Sequence, residues 1–365
     1  MKQVCLLCSR TSSDSNLYCQ EIYCPAEMSP IILEYGEWLG DIEILKPVMT
    51  LRSATLYEAQ HNKQKVLLKV AHPGEQHIER LKREAAFLSE LGKEPHPFLP
   101  RLLPPYVNTT IAKDPHGRAM LQDHLMYFYL FEYFPGDTLR DLLVKNPQLW
   151  VFHIGWLMVN VATAVAFLQS KEMFHYGISP ESVLVRFDPN SNIPQVVLCD
   201  LGVISTSKNL RSNWYSTFML PAYTAPELVD NPTPLPNYAT DVYGLGLILY
   251  ELLVGQPAYS FKLHSDKDVY EAVRHNPMVR MNRTADVQEI ATIATQAVSK
   301  NAADRQPSAA ALAEQLLKAI GEPPAEQRGW RPSLNATLIV VITLLALAFL
   351  ITLIINFQEV GNAFS

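Results

Sequence analysis

The chain has 365 residues and a formal net charge of −6 at pH 7. This length allows one large domain together with small accessory segments. The acidic balance excludes a general electrostatic attraction to nucleic acid, so we expect no nucleic-acid partner. Hydrophobic residues make up 48% of the chain, which is an ordinary share for a globular protein.

Four of the five cysteines lie close to the N-terminus, at Cys5, Cys8, Cys19 and Cys24. Two close pairs of thiolates can hold one tetrahedral Zn²⁺ ion. Residues 1–30 are too few to bury a core, so a metal ion would have to supply the folding energy. Two disulfides or free thiols are the alternatives, although a cytoplasmic location argues against disulfides. The segment resembles small zinc-ribbon modules of bacterial regulatory proteins, which implies a structural or partner-docking role.

Periodic patterns predict a domain that mixes strands and helices. Alternating and β-branched residues indicate strands, whereas apolar residues at intervals of three and four indicate helices. The predicted elements are, in chain order, strands over 42–51, 55–59 and 65–70, a helix over 76–91, a long buried helix over 149–168, and a mostly helical stretch over 284–319 that breaks near Pro307.

Short motifs follow one another in a specific order along the chain. They are VLLKV at 66–70, LKREAAFL at 81–88, FEYFPG at 131–136, HYGISPESVLV at 175–185, DLG at 200–202, APE at 225–227, DVYGLG at 241–246, LYELL at 249–253 and DRQPS at 304–308. Each motif is weak alone, but together they resemble the protein kinase superfamily over residues 36–320. The resemblance implies an α+β fold with a β-rich N-lobe over 36–131 and a helical C-lobe over 135–320. It also implies an ion pair between Glu227 and Arg305.

The resemblance implies a nucleotide site between the two lobes. Lys69 would contact the phosphates of ATP, Glu84 would orient that lysine, and Asp200 would ligate Mg²⁺. Glu132 and Phe134, in the segment that connects the lobes, would contact the nucleotide. Without the resemblance, Lys69 would be a surface lysine at the end of a strand and Asp200 an ordinary turn residue.

The catalytic positions depart from the family pattern. Gly177 stands where the family has the Asp that accepts the proton of the substrate hydroxyl. Ser179 replaces the Lys that neutralises the transferred phosphoryl group, and Ser182 replaces the Asn that holds a second Mg²⁺ ion. Residues 49–59 contain no glycine, although glycines there would bring the backbone close to the phosphates. Tyr176 replaces the arginine that reads phosphorylation of the activation loop.

Three functions are compatible with this pattern. The first is a pseudokinase that binds ATP weakly and signals through contacts with other proteins. The second is a Ser/Thr kinase of low activity, because phosphoryl transfer asks for positioning more than for covalent chemistry. The third is a membrane adaptor that binds no nucleotide. The joint loss of the catalytic residues favours the first function over the second, and the retained Lys69, Glu84 and Asp200 favour it over the third.

A continuous apolar run near the C-terminus predicts a single transmembrane helix. Residues 336–355 are all Ala, Thr, Leu, Ile, Val or Phe, and at about 1.5 Å per residue they match a hydrocarbon core of about 30 Å. A buried core helix is the alternative, but it would normally have a polar face. Arg328 and Arg331 precede the run and no Lys or Arg follows it, so the N-terminal part is expected in the cytoplasm. The predicted segments are a juxtamembrane linker over 321–333, a transmembrane helix over 334–357 and a non-cytoplasmic tail over 358–365.

Overall fold

The computed structural model describes the greater part of the chain. The described residues are 2–4, 11–12, 31–92, 94–106, 114–121, 124–188, 191, 193–230, 235–260, 265–278 and 287–321. The chain divides into one compact unit, Met1–Pro323, and a second unit, Pro324–Ser365, which has none of the described residues. The cysteines of the predicted zinc module and the predicted transmembrane helix lie outside the described residues.

The strands and helices follow the predicted order. The strands are β1 (Lys2–Val4), β2 (Thr11–Ser12), β3 (Ile31–Ile32), β4 (Trp38–Leu39), β5 (Ile42–Thr50), β6 (Ala54–His61), β7 (Gln64–Ala71), β8 (Leu102–Leu103), β9 (Gly117–Leu121), β10 (His124–Glu132), β11 (Asp137–Thr138), β12 (Met173–Phe174), β13 (Val183–Arg186), β14 (Gln195–Leu198) and β15 (Ser205–Thr206). The helices are α1 (Glu75–Leu91), α2 (Leu139–Lys145), α3 (Val151–Ser170), α4 (Leu210–Asn213), α5 (Pro226–Asp230), α6 (Tyr238–Val254), α7 (Asp266–His275), α8 (Gln288–Ala297) and α9 (Ala309–Ile320). The elements predicted from periodicity are confirmed where the structure describes them, including the break near Pro307, whereas residues 284–286 of the last predicted stretch lie outside the described residues.

The N-lobe is an antiparallel sheet with the order β4-β5-β6-β7-β10-β8, and β9 also pairs with β10. Residues directly opposite each other in such a sheet share one face. Lys69 on β7 lies opposite Leu56 on β6 and Tyr129 on β10, and Leu67 shares this face because side chains alternate. Apolar residues of this face belong to the large core that extends into the C-lobe. The other face packs on a separate apolar core.

The C-lobe is built around the buried helices α3 and α6, and α3 packs against both α6 and α9. Among the described residues, α3 is the one helix long and apolar enough to cross a membrane, but 67% of its apolar window is buried in the protein. It is therefore a core helix of the C-lobe, as the pattern over 149–168 predicted. Gly246 allows α6 to lie close to α8, because a Cβ atom there would be 2.6 Å from that of Ala297.

The predicted ion pair between Glu227 and Arg305 is confirmed. Arg305 NH1 and NH2 donate to the two carboxylate oxygens of Glu227 at 2.7 and 2.8 Å. This pair ties α5 to the segment that precedes α9. Since the guanidinium is buried, the pair fixes the region that follows residues 203–218, which correspond to the activation segment in the family pattern.

Two small sheets position the residues between the lobes. One has the order β11-β13-β14, and the other pairs β12 with β15. The degenerate catalytic loop therefore lies between β12 and β13, and Asp200 is the second residue after β14. The cleft face of the N-lobe sheet and this part of the C-lobe together make up the candidate site.

Candidate functional site

Lys69 lies buried among three partners that come from different elements. Its Nζ atom donates to Glu84 Oε2 at 2.6 Å, to Asp200 Oδ1 at 2.7 Å and to the carbonyl of Cys199 at 3.3 Å. The structure thus brings together the three residues that the sequence placed in a nucleotide site. Burial opposes the charge on Lys69, but Asp200 and Glu84 outweigh it and raise the pKa of the lysine.

Arg80 completes this cluster, and the sequence analysis missed it. Its NH2 atom donates to Asp200 Oδ2 at 2.8 Å, and the side chain is only 5% exposed. Burial opposes the charge on Asp200, but Arg80 and Lys69 outweigh it and hold the pKa of that carboxyl well below its usual range. The available signal was spacing, because Arg80 precedes Glu84 by four residues and so shares its helix face.

The backbone around Asp200 is fixed by two further contacts. Glu84 Oε1 accepts the N–H of Leu201 at 2.8 Å, and His175 Nε2 donates to the carbonyl of Asp200 at 2.8 Å. Gly202 has φ 67°, and a Cβ atom there would lie 2.0 Å from the carbonyl oxygen of His175. The turn therefore requires glycine, and both oxygens of Asp200 are held toward Lys69 and Arg80.

The catalytic loop offers no group that can accept a substrate proton at the family's position. Gly177 has no side chain, and a Cβ atom there would lie 3.5 Å from Sδ and Cε of Met219. The hydroxyl of Ser182 donates to the carbonyl of Ser179 at 2.7 Å and accepts the N–H of Ser179 at 3.2 Å. Nearby, the carboxylate of Glu181 accepts a hydrogen bond of 2.6 Å from Arg140.

Apolar side chains are packed next to Lys69 between the two lobes. Leu56 and Leu67 lie on the same sheet face as Lys69, and they are 0% and 1% exposed. Phe131 and Leu184, from the two lobes, belong to the same continuous core. These apolar side chains are therefore closed off from solvent next to the charge cluster.

The two residues of the connecting segment that were predicted to contact nucleotide lie at the end of β10 and just after it. Glu132 and Phe134 line a cavity of about 790 Å³, together with Pro97, Trp156 and Val197 among others. None of the charged residues around Lys69 lines this cavity. The N–H of Glu132 is bonded to the carbonyl of Arg101 at 2.9 Å. Among the described residues, neither Glu132 nor Phe134 has a hydrogen bond or ion pair with the charge cluster, and Glu132 pairs with Arg101 at 3.5 Å. Their contact with a nucleotide stays a prediction.

The glycine-free segment forms a tight turn between β5 and β6. The N–H of Leu51 donates to the carbonyl of Ala54 at 2.8 Å. His72 fixes the turn from outside. Its N–H donates to the backbone carbonyl of Ser53 at 2.9 Å, and its Nε2 donates to the backbone carbonyl of Leu51 at 2.9 Å. The backbone amides of Leu51 and His72 are thus used within the fold.

Metal ligands can be assessed only in the part of the chain that the structure describes. There, no group of three or more His, Cys, Asp or Glu residues could hold a metal ion. The four N-terminal cysteines lie outside this part. Cys199 is buried, and burial raises the pKa of its thiol to about 12, so it is a packing residue.

A protein-family model described as "Protein kinase domain" matches residues 53–323. The chain is 24% identical over 209 residues to the serine/threonine-protein kinase PknB of Mycolicibacterium smegmatis, covering 55% of this chain and 32% of that protein. It is 29% identical over 163 residues to the serine/threonine-protein kinase dkf-2 of Caenorhabditis briggsae, covering 44% of this chain and 13% of that protein. The chain thus spans about a third or less of the length of these relatives.

Solved structures show the same fold. The kinase domain of Mycobacterium tuberculosis PknI, in two mutant forms, superposes with TM-scores of 0.51 and 0.53. The sequence identities are 17% and 18%, and each match covers 80% of this chain and 100% of the other. At this identity the likeness concerns the two-lobed fold alone.

Proposed function

The chain belongs to the protein kinase family, and we propose on this premise that it is a pseudokinase that signals through contacts with other proteins. One observation carries the proposal: the position of the family's catalytic Asp is Gly177, and Met219 lies against it. A thioether cannot accept the proton of a substrate hydroxyl. The loop therefore lacks the group that would activate a substrate.

The rate expected from this loop is very low. Loss of a general base alone lowers the rate of the chemical step by roughly 10²- to 10⁴-fold. Ser179 also supplies no cation, and the hydroxyl of Ser182 is bonded within its own turn. Losses within one catalytic unit do not simply multiply, so the expected result is a large deficit and no specific product of factors.

Three features of the cleft support at most weak nucleotide affinity. Leu56 and Leu67 are closed to solvent where an adenine ring would lie. The turn at Leu51 has no glycine to bring its backbone close to phosphates. Lys69, which would contact the phosphates, is bonded to Asp200 as well as to Glu84, the carboxylate that orients it. A nucleotide would have to compete with Asp200 for this lysine before it could bind.

The alternative is a Ser/Thr kinase of low activity. The ion pair between Lys69 and Glu84 favours it, because the family pattern uses this pair to position the phosphates. The curated relatives described above also carry kinase names. Positioning by itself supports some phosphoryl transfer. A membrane adaptor that binds no nucleotide is the remaining possibility, and the closed adenine region favours it.

We also propose that the domain is tethered to a membrane and carries a zinc module. The apolar run at 336–355 supports a single transmembrane helix with the kinase-like domain in the cytoplasm. Cys5, Cys8, Cys19 and Cys24 support a structural Zn²⁺ site at the other end of the chain. The partner of the signalling domain would then be a protein at the cytoplasmic membrane face.

A phosphotransfer assay tests the proposed function. The purified full-length protein is incubated with radiolabelled ATP, Mg²⁺ or Mn²⁺, and a basic protein substrate, beside an active kinase as positive control. We expect incorporation at the background level for the wild type and for the Lys69→Met and Asp200→Asn variants. Robust phosphorylation that both variants abolish would contradict the pseudokinase assignment and favour the low-activity kinase.

A further inference from the structure

Asp200 has a cationic partner on each of its carboxylate oxygens. Oδ1 lies 2.7 Å from Lys69 Nζ, and Oδ2 lies 2.8 Å from Arg80 NH2. All three side chains are buried, with exposed fractions of 7% for Asp200, 1% for Lys69 and 5% for Arg80. Lys69 occupies Oδ1, so Oδ2 is the oxygen that could bind a metal ion, and this oxygen is held by the guanidinium of Arg80.

The charges of this cluster are balanced without any ligand. Lys69 and Arg80 contribute two positive charges, and Glu84 and Asp200 contribute two negative ones. A divalent cation at Asp200 would add two positive charges beside two buried cations that already neutralise the carboxylates. Repulsion between like charges is strong where water is excluded, so binding of the metal ion would require the departure of Arg80.

Arg80 is held in place by more than its ion pair. It lies on α1 one turn before Glu84, whose second oxygen is fixed by the N–H of Leu201. Its guanidinium also lies over the ring of Phe218 at 5.3 Å from the centroid. If the Arg80 side chain moved away, its contact with Phe218 would be lost together with its ion pair to Asp200.

The other side of the metal position also lacks a ligand. Mg²⁺ is bound by carboxylate oxygens together with phosphate oxygens and water, at about 2.0–2.1 Å and in near-octahedral geometry. Ser182, in place of the family's Asn, uses its hydroxyl on the carbonyl and N–H of Ser179. The residues present therefore do not fit the Mg²⁺ ion that the fold family implies.

We propose that Arg80 is a built-in cation that takes the place of Mg²⁺ at Asp200, so that the cleft excludes divalent metal. A nucleotide phosphate that reached this position would meet Lys69 and Arg80 instead of a metal ion. This proposal rests on the proposed function in one respect, which is that the cleft between the lobes corresponds to the nucleotide site of the kinase family. Its test measures metal binding and not phosphotransfer, so the two proposals can fail separately.

The first experiment follows Mn²⁺, a spectroscopically visible substitute for Mg²⁺, by electron paramagnetic resonance on the full-length protein. We expect no wild-type Mn²⁺ binding that depends on Asp200. The Arg80→Gln variant frees Asp200 Oδ2 and is expected to gain a weak Mn²⁺ site in which water supplies the other ligands, and the double variant with Asp200→Asn should lose this site again. Arg83→Gln is the matched control, since it removes an arginine from the same helix that makes no ion pair with Asp200.

Wild-type Mn²⁺ binding that Asp200→Asn removes would overturn the proposal. So would a folded Arg80→Gln variant without a new Mn²⁺ site, with folding checked by thermal unfolding. A second measurement does not depend on that variant. Wild-type affinity for a fluorescent ATP analogue should be the same in Mg²⁺ and in EDTA, whether that affinity is weak or undetectable. A gain of about tenfold or more in Mg²⁺, a difference well above the error of such titrations, contradicts the role of Arg80.

Discussion

Arg52 and Asp266 form a bidentate ion pair that joins the two lobes. Arg52 NH1 lies 2.8 Å from Asp266 Oδ2, and NH2 lies 2.9 Å from Oδ1. Arg52 is in the turn between β5 and β6, and Asp266 is the first residue of α7. In the family pattern this turn would cover the phosphates of a nucleotide. Here it is bonded to the C-lobe, so the pair holds the outer end of the cleft closed.

A double-mutant cycle with Arg52→Ala and Asp266→Ala should measure the strength of this pair. The side chains are 17% and 37% exposed, so we expect a coupling free energy of about 0.5–1 kcal/mol that decreases at high salt. Urea unfolding of the four proteins provides the measurement. The matched control is the pair of Lys318 and Glu314, which are 74% and 67% exposed and should couple more weakly. A coupling free energy of zero between Arg52 and Asp266 would show that their contact does not hold the lobes together.

Buried histidines should make the fold less stable in mild acid. Burial lowers the pKa of both His72 and His175 to about 4, whereas an unfolded histidine has a pKa of about 6.5. Between these values the unfolded chain binds more protons, so stability is full above pH 6.5 and falls as the pH falls through this window. At about pH 4, the lower end of this window, each histidine should have lowered the free energy of unfolding by on the order of 3 kcal/mol.

The effect of His72 can be isolated with a neutral replacement. Burial raises the pKa of Asp241 to about 6, which acts in the opposite direction over part of the same range. Comparison of His72→Gln with the wild type cancels this contribution, because Asp241 is present in both. Urea midpoints from pH 7.5 to pH 5 should fall less steeply for the variant. Parallel pH profiles for the two proteins would show that His72 is not the source of the acid sensitivity.

Local patterns in the sequence predicted part of the site, and packing between distant residues decided the rest. Lys69, Glu84 and Asp200 could be placed together because each lies in a motif of fixed order, and the structure brings them into one cluster. The contact of Arg52 with Asp266 joins residues 214 positions apart that belong to no shared motif. Its geometry depends on how closely the lobes approach, which periodicity does not encode.

The same limit explains three further findings. Arg80 follows a helical spacing that would suit any surface arginine, so only the position of Asp200 reveals its partner. The burial of Leu56 and Leu67 depends on residues from both lobes that meet in one core. Glu132 and Phe134 could be assigned to the connecting segment, but the cavity that they line also includes residues distant in sequence, such as Trp156 and Val197.

The N-terminal cysteines are predicted to bind zinc. Purified reduced protein should contain about one zinc ion per chain, as four thiolate ligands would require. Serine variants of Cys5, Cys8, Cys19 or Cys24 should lose the metal, because a closed tetrahedral site needs all four ligands. Cys199→Ala is the matched control, since this thiol is buried in the C-lobe and should not affect the zinc content. Metal-free protein in which all four cysteines react freely with an alkylating reagent would rule out the zinc module.

The apolar run is predicted to anchor the protein in a membrane. The full-length chain should fractionate with membranes and require detergent, whereas a chain that ends before Arg331 should be soluble. A reporter fused after Ser365 should lie on the side opposite to the kinase-like domain, because positive residues precede the run and none follows it. Recovery of the full-length chain in the soluble fraction would exclude the anchor, and a cytoplasmic reporter would reverse the topology.

Restoring the catalytic aspartate alone is predicted to restore little activity. In Gly177→Asp the new Cβ atom would make an ordinary contact of 3.5 Å with Met219, so the variant should fold. Its carboxylate would still lack the cation that the family places at Ser179 and the metal ligand at Ser182. The rate should therefore stay near background, although a general base in an intact site contributes roughly 10²- to 10⁴-fold. Gly177→Ala is the matched control for the added side chain, with thermal unfolding as the check on folding. Phosphotransfer by Gly177→Asp well above that of Gly177→Ala would show that the missing base is the only defect of the loop.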